Sequence, residues 1–574
     1  MRRLLSAAAA VIALFPAVAR AEPAPFGHAC TAANGVRFCP TPDLASRPAS
    51  FDGTPIDVDV TLPATGDGPF PTILLLHGLG GTKTSFESTD PTVRYTNLFF
   101  AQQGFAVVTP TARGFGNSCG PSNASSAGCD HGWTRLGDMR YEIRDLQTLV
   151  GLLVDEGIVK PDAIGATGIS YGGGSSTMLA FLRNRIRLTD GSYAPWLSPN
   201  GTPISLTAAW PRWQWSNGEA IFIRNGRGPW SRTPTGIQAQ AYANLIFAVA
   251  SGGNVAPTGG DLSTDIRLWK QQLDAGTLGP GVQPTLDNAF NFHGVAGVTA
   301  PAGGVAPLLI QQGWTDALFP VGQALGAYDA VRKGNPNAPV ALQVSDAGHP
   351  PGVNHPVDVA AFESQGLAFF DAWLKGSGGS KPAPGSATAY TMVCPATKPA
   401  GGGPFKASSF KALARHTLSF GTSAKQKITS KGGNKTLASA VSGASGPGEL
   451  CTPQKPDTKN KATFRTNSTG LTLIGQPVLR GNVVTKGRYG QLDARLWDLD
   501  RKTGRQRLIT RGAYRLKDNE KGKFTFTLDG NGWRFAKGHR IVVELLGRDA
   551  PTFAPSPTSF SATLTKLKIS LPAR

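Results

Sequence analysis

The chain has 574 residues, 57 Lys and Arg against 37 Asp and Glu, a formal net charge of +20, 71 glycines and six cysteines. That length leaves room for two or three domains. Beyond the N-terminus no apolar run is long enough to cross a bilayer, and no Cys-x-x-Cys or His-rich spacing supports a metal site. Neither a membrane-embedded nor a metal-built protein is therefore expected, and the sequence calls for no cofactor.

Residues 1–21 open with Met1-Arg2-Arg3, continue as an apolar run to about Val18 and end Ala19-Arg20-Ala21 before Glu22. A basic start, an apolar core and a small-x-small end predict a secretory signal peptide cut after Ala21. The mature protein is then secreted or extracytoplasmic. Six cysteines fit such a compartment. Pairing of sequence neighbours would join Cys30 to Cys39, Cys119 to Cys129 and Cys394 to Cys451, but six cysteines allow fifteen connectivities.

From about residue 71 to 376 strand and helix patterns alternate, which predicts a parallel sheet covered on both faces. Strands are expected at 72–76, 105–108, 163–167, 204–208, 307–312 and 340–344, with helices at 138–157, 322–333 and 357–374. Residues 209–298 interrupt the alternation with Trp210, Trp213, Trp215, Trp230 and Trp269 and helix-like pieces at 236–251 and 263–275. They read as a cap insertion that either shapes a pocket or packs as a satellite core. The α/β domain thus comprises 22–208 and 299–376, with the insertion between. A Gly, Ser and Pro-rich linker spans 377–388. Short alternating runs at 471–474, 491–496, 524–528 and 540–546 predict a β-sandwich over 389–574, with a long loop at 431–450.

Charge divides along the same line. Residues 401–574 hold 31 Lys and Arg and 10 Asp and Glu, whereas residues 1–400 hold 26 and 27. A basic surface favours anionic partners. These residues are scattered through strand-like sequence, without a basic helix or an aromatic stacking platform. The expectation is a solvated basic face with no nucleic-acid partner; attraction to an anionic cell-envelope surface is its candidate use. The sequence leaves the oligomeric state open.

The most informative stretch is Ala163 to Gly174, an apolar strand entering Gly168-Ile169-Ser170-Tyr171-Gly172 and then a helix. This is the pattern of a nucleophile elbow, a tight turn that exposes a serine hydroxyl. With 71 glycines, on the order of one chance Gly-x-Ser-x-Gly is expected. Gly116-Asn117-Ser118-Cys119-Gly120, in a turn-rich loop with no helix behind it, reads as that chance copy.

A serine nucleophile needs a base, and the base an orienting acid, here in the chain order Ser, Asp or Glu, His. Asp316 follows the strand at 307–312 and fits the acid; a helix-capping role is the plain alternative, and Asp346 is the rival acid. His349 follows the strand at 340–344 and fits the base, with His355 as its rival. The oxyanion hole is expected from the backbone N–H groups of Tyr171 and Leu79, the latter in the loop His77-Gly78-Leu79-Gly80-Gly81.

These residues resemble the cocaine esterase and Xaa-Pro dipeptidyl-peptidase family of α/β-hydrolases. The elbow Gly168-Ile169-Ser170-Tyr171-Gly172-Gly173, the loop Arg113-Gly114-Phe115-Gly116-Asn117-Ser118, the segment Gly313-Trp314-Thr315-Asp316 and the C-terminal pattern from Gly530 to Ile541 carry the likeness. The resemblance implies a hydrolase core, a helical cap and a C-terminal jelly roll. Many members place a tyrosine hydroxyl in the oxyanion hole, where this chain has His77-Gly78-Leu79. Ala112 stands before Arg113, where Asp is common. No carboxylate cluster for a free peptide amine is evident. The expected function is a secreted serine hydrolase cleaving ester or amide acyl bonds of a small-molecule or peptide substrate. The alternatives are an Xaa-Pro dipeptidyl-peptidase and a non-catalytic envelope-binding protein.

Overall fold

A computed structural model of the chain describes residues 22–228, 230–376, 378–457 and 461–574. The predicted signal peptide, residues 1–21, lies outside them. Eleven strands make one large sheet: β1 (Thr31–Ala33), β2 (Val36–Cys39), β3 (Val58–Pro63), β4 (Phe70–Leu76), β5 (Ala106–Pro110), β6 (Val159–Ile169), β7 (Leu206–Arg212), β8 (Leu308–Gly313), β9 (Val340–Ser345), β10 (Ala387–Thr391) and β11 (Gly402–Ala407). Their spatial order is β1-β2-β3-β5-β4-β6-β7-β8-β9-β10-β11. The run from β5 to β10 is parallel, and β1, β2, β3 and β11 pair antiparallel at the two edges.

Strand β4 shows why the centre is parallel and two-sided. Its Ile73 and Leu75 pack with Phe100, Trp210, Phe369 and Phe370 on one face. Its Leu74 and Leu76 pack with Ile143, Leu149, Val150 and Met178 on the other. Successive side chains point to opposite faces, so a strand apolar at every position must be covered twice. Helices Glu142–Asp155 and Tyr171–Leu182 cover the second face, and Asn97–Gln102 and Pro356–Phe370 the first.

The cap insertion holds four helices, Gly218–Phe222, Gln240–Ala250, Ile266–Asp274 and Gln283–Phe292. Its Trp215 and Trp269 are 3% and 4% exposed and join the main core, so the cap is continuous with the sheet rather than a satellite. Trp210 does not belong to it; it lies on β7 under the sheet's other face.

Beyond the large sheet the chain forms a sandwich. One layer is a seven-stranded sheet of β12 (His416–Thr422), β13 (Gln426–Thr429), β15 (Thr472–Gly475), β16 (Val478–Lys486), β19 (Lys521–Thr527), β20 (Asn531–Arg534) and β22 (Ser561–Ala573). The other is a four-stranded sheet of β14 (Ala462–Asn467), β17 (Gln491–Leu499), β18 (Gln506–Arg515) and β21 (Arg540–Leu546). Leu479, Phe524, Phe526 and Ile569 of the first meet Leu492, Leu496, Val543 and Leu545 of the second in one core.

Three features differ from the sequence reading. The expected linker at 377–388 ends inside the large sheet, because Ala387 pairs with Leu342, and the sheet continues through β11 to Ala407. Residues 389–407, assigned from sequence to the sandwich, therefore complete the hydrolase sheet; β10 and β11 are short strands with no helix between them, which is why they read as all-β sequence. Residues 431–450 are not all loop, since Asn434 caps a helix at Lys435–Ala440. The N-terminal β1–β3 had no alternation strong enough to stand out. The cysteines pair as sequence neighbours: Cys30–Cys39, Cys119–Cys129 and Cys394–Cys451. Three disulfides suit an extracytoplasmic protein. Among the described residues no helix is long and apolar enough to cross a membrane.

One buried ion pair fixes the loop after β5. Arg113, fully buried, donates to Asp145 on helix Glu142–Asp155 through Nε at 2.7 Å and to Asp52 through Nη1 at 2.8 Å. Burial alone pushes the Asp145 carboxyl up, and the guanidinium opposes it. Removing one partner of such a pair leaves an uncompensated buried charge. Arg113→Ala should lower unfolding free energy by about 3–5 kcal/mol, measured by urea denaturation, with Arg113→Lys intermediate because a lysine cannot span both carboxylates as a fork.

Candidate active site

The site forms at the carboxyl ends of β4, β6, β8 and β9, where ligands gather in open parallel sheets. Ser170 follows β6 with φ 60° and ψ −111°, a left-handed conformation that costs a non-glycine residue strain. Its N–H donates to the Arg212 carbonyl at 3.0 Å. The elbow needs its glycines for contact with the neighbouring strand: a Cβ on Gly172 would lie 2.1 Å from the Leu76 carbonyl oxygen, and one on Gly168 2.5 Å from the same atom. No side chain fits at either place.

His349 and Asp316 meet Ser170. His349 Nε2 lies 2.8 Å from Ser170 Oγ, and His349 Nδ1 lies 2.8 Å from Asp316 Oδ2. Asp316 is 2% exposed and its carboxylate is filled: Oδ1 accepts from the N–H groups of Leu318 and Phe319, and Oδ2 also from that of His349. Asp316 thus caps the turn after β8 and faces the histidine at once; the plain alternative and the functional one are the same geometry. With a carboxylate at Nδ1 the ring carries its proton there, leaving the Nε2 lone pair toward the serine hydroxyl. Phe319 and Trp213 hold the ring in edge-on contact at 5.1 and 5.8 Å between centroids.

The rivals are engaged elsewhere. His355 is buried, with Nδ1 2.6 Å from the Lys398 carbonyl and Nε2 3.6 Å from Asp346. Asp346 accepts from the Thr315 hydroxyl at 2.5 Å. Ser118 is wholly buried; its hydroxyl donates to the Thr111 carbonyl and accepts from Asp57 N–H, both at 2.8 Å. The second Gly-x-Ser-x-Gly is a loop staple.

The loop after β4 is held by His77. Ala112 N–H donates to His77 Nε2 at 2.9 Å, so the proton sits on Nδ1 and is donated to the Gly78 carbonyl at 2.6 Å. Burial keeps this imidazole below its ordinary pKa and neutral. Leu79 and Tyr171 both line the pocket at Ser170. Among the described residues neither of their N–H groups is used in a turn or loop hydrogen bond.

The Tyr171 side chain runs inward to a buried carboxylate that sequence reasoning missed. Its hydroxyl donates to Glu142 Oε1 at 2.6 Å and accepts from Gly137 N–H at 2.7 Å. Glu142 also accepts from the N–H groups of Arg135 and Asp138, each at 3.0 Å. Burial raises this carboxyl to about 7, against those donors. Trp213 and Phe319 were missed too; the signal for Phe319 was its place three residues after Asp316.

Beside Ser170 a cavity of about 60 Å³ opens under the cap. Leu136, Trp215, Ile221, Phe222, Trp269 and Phe319 are among its walls, and no carboxylate lines it. Its remaining imidazole, His293, is occupied: Nδ1 lies 3.0 Å from the Leu136 carbonyl and Nε2 3.0 Å from Asn288 Nδ2.

Known families match both halves of the chain. The family described as X-Pro dipeptidyl-peptidase (S15 family) matches residues 52–186, and the X-Pro dipeptidyl-peptidase C-terminal non-catalytic domain matches 403–572. The chain belongs to the cocaine esterase and X-Pro dipeptidyl-peptidase family. Members are serine-type hydrolases of ester or peptide bonds, and this chain is one. Among solved structures, a CocE/NonD family hydrolase from Staphylococcus aureus is similar with TM-score 0.60 and 13% identity, over 94% of each chain. An alpha-amino acid ester hydrolase has TM-score 0.58 and 15% identity, over 98% of this chain and 100% of that one. An aminopeptidase from the marine sediment archaeon Thaumarchaeota archaeon has TM-score 0.58 and 13% identity, over 98% and 99%. At such identities these likenesses speak for the fold. No curated protein matches the chain.

The Glu142 tether carries a pH signature. A carboxyl raised from 4.5 to about 7 in the fold holds its proton after the unfolded chain has lost its own. Stability from this group is fully present below about 4.5 and is lost as pH rises through about 7. Glu142→Gln should flatten that part of the stability–pH curve. It should also lower kcat more than it raises KM, because Tyr171 loses its anchor; thermal melts from pH 4 to 8 and steady-state kinetics read both.

Proposed function

We propose that this family member is an exported ester hydrolase whose triad is Ser170, His349 and Asp316. The in-line contacts at 2.8 Å support those roles. His349 Nε2 takes the Ser170 proton as Oγ bonds to the substrate carbonyl carbon. The N–H groups of Leu79 and Tyr171 receive the developing oxyanion. His349 then gives its proton to the leaving alkoxide as the C–O bond breaks, and an acyl-serine remains. Water, deprotonated by the same nitrogen, releases the acid and restores Ser170. Asp316 keeps the proton of the resting ring on Nδ1 and stabilises the imidazolium.

The wholly uncharged wall of the cavity at Ser170 carries the choice of an ester with an apolar acyl group. A free α-amine entering there would lose its hydration without a carboxylate to replace it, a cost of several kcal/mol. The Xaa-Pro dipeptidyl-peptidase is the second reading, favoured by the description of both matching family models. Export rests on the signal-like residues 1–21 together with three disulfides.

Purified protein should hydrolyse p-nitrophenyl butyrate, and Ser170→Ala or His349→Ala should cut kcat by roughly 10⁴–10⁶-fold. Strong turnover of an Xaa-Pro p-nitroanilide with negligible ester turnover would overturn the ester assignment. A folded protein whose Ser170 is not labelled by a fluorophosphonate would overturn catalysis altogether. Ile246 is another wall of the pocket, and filling it separates chain lengths: Ile246→Trp should lower kcat/KM for p-nitrophenyl hexanoate by about tenfold or more, and for the acetate by less than about threefold.

A further inference from the structure

The basic residues that look scattered in the sequence converge in the sandwich. In the seven-stranded sheet Leu479, Val483, Phe524, Phe526, Leu564 and Ile569 point inward. The alternate positions face solvent, and the strand registers set them in rows. Thr525, Arg480, Lys568 and Gly421 lie side by side across four strands. The next row holds Lys523, Asn482 and Thr565. Beyond it come Lys521, Val484, Thr563 and Lys427, and then Lys486, Ser561 and Thr429. Each of these four rows carries at least one cation, and the row of Thr527, Val478, Ser570 and Ser419 beyond Arg480 carries none.

A backbone irregularity adds another. The register of β22 slips between its pairings with Arg480 and Asn482, and Lys566 there takes φ 51°. The slip is a bulge, which re-aims side chains. It switches the buried positions of β22 from even numbers (Ala562, Leu564) to odd (Leu567, Ile569, Leu571) and leaves both Lys566 and Lys568 exposed.

None of the seven strands contains an Asp or Glu. Among the described residues none of Lys427, Arg480, Lys486, Lys521, Lys523, Lys566 or Lys568 has a carboxylate within 4.0 Å. The acids of the opposite sheet are turned to internal work: Glu544 pairs with Lys461, and Asp498 accepts from Trp533 and His539. Arg480 and Lys568 face each other on adjacent strands about 5 Å apart, and Lys521 and Lys523 stand two residues apart on one strand, so such neighbours lie within one Debye length, about 8 Å at physiological salt. Their potentials add.

The neutral positions on the face are chiefly hydroxyls, Thr525, Thr563, Thr565, Ser561 and Ser570, with Val478 and Val484 as apolar exceptions. No exposed aromatic offers a base a stacking surface, no helix is presented to a groove, and two valines six residues apart on one strand are no wedge for a bilayer. Lysine point charges interleaved with hydroxyls match a chain whose carboxylates alternate with sugar hydroxyls.

We propose that the solvent face of the seven-stranded sheet docks a linear anionic polysaccharide. Its occupancy is independent of Ser170, so the test can be run on the Ser170→Ala full-length mature chain. Polygalacturonate is the probe, titrated calorimetrically from 50 to 300 mM NaCl. Salt-dependent binding is expected, and K521Q/K523Q/K566N/K568Q should weaken it by roughly tenfold or more and make the slope of log K on log salt shallower by about three to four. Asn is used at 566 because it tolerates a left-handed backbone. In the Ser170 background the same variant should keep its ester turnover and melting temperature; if it does not, the pairs K521Q/K523Q and K566N/K568Q are tested separately, each with a smaller loss expected. K333Q/K398Q/K406Q/K411Q removes equal charge elsewhere. Equal weakening by that control overturns the assignment to this face. Tighter binding at the same salt to 70:30 phosphatidylcholine:phosphatidylglycerol vesicles, or to duplex DNA, overturns the polysaccharide, and so does no binding at all.

Discussion

The site depends on one strained residue held between two strands. Ser170 keeps a left-handed backbone because β6 delivers it beside the Leu76 carbonyl of β4 and the Arg212 carbonyl of β7, with Gly168 and Gly172 removing every atom that would push those strands apart. The strain is of the order of 1–3 kcal/mol. It persists because the neighbours are over-determined: β4 is buried on both faces, and the helix that starts at Tyr171 is buried along its whole length. The cost places the hydroxyl above the sheet with a helix N-terminus behind it, whose first N–H groups have no helical acceptor.

Each partner of Ser170 is fixed by a second bond with the same logic. Asp316 is held by the turn it caps, His349 by two aromatic edges, and the loop after β4 by a neutral His77 bridging to Ala112. Tyr171 is tied down through Glu142. Burial of the elbow raises the Glu142 carboxyl to about 7. The Arg113 ion pair does similar service one loop away, joining the segment after β5 to the helix that carries Glu142.

Legibility followed the length scale of the signal. The meeting of Ser170, Asp316 and His349 was readable because each sits at the end of an apolar strand, and strand order constrains the rest. Ser118 could be set aside for the same reason, having no helix behind it. Glu142 was not readable: its partner lies 29 residues away, and a glutamate opening a helix looks like an ordinary charge against the dipole. Strands β10 and β11 were misassigned because short edge strands carry little periodicity, and only pairing with β9 shows which sheet owns them. The disulfides followed sequence proximity, although nothing in the spacing excluded the other pairings.

The charge asymmetry was legible only as a number. A strand shows half of its residues to solvent, so cations at alternate positions of distant strands become neighbours once register is set. Lys427, Lys521 and Lys568 span more than 140 positions in sequence yet share one face. The four-stranded sheet contains arginines too, but Arg495 is 1% exposed and paired with Asp549. The strands of the four-stranded sheet keep Asp493, Asp498 and Glu544 among their cations, and those of the seven-stranded sheet hold no acid. Unpaired like charges repel across neighbouring strands and destabilise a sheet, and here they do so on a face with no acid to relieve them. Local stability alone would favour an interspersed carboxylate or two. A partner that supplies the missing negative charge resolves that conflict.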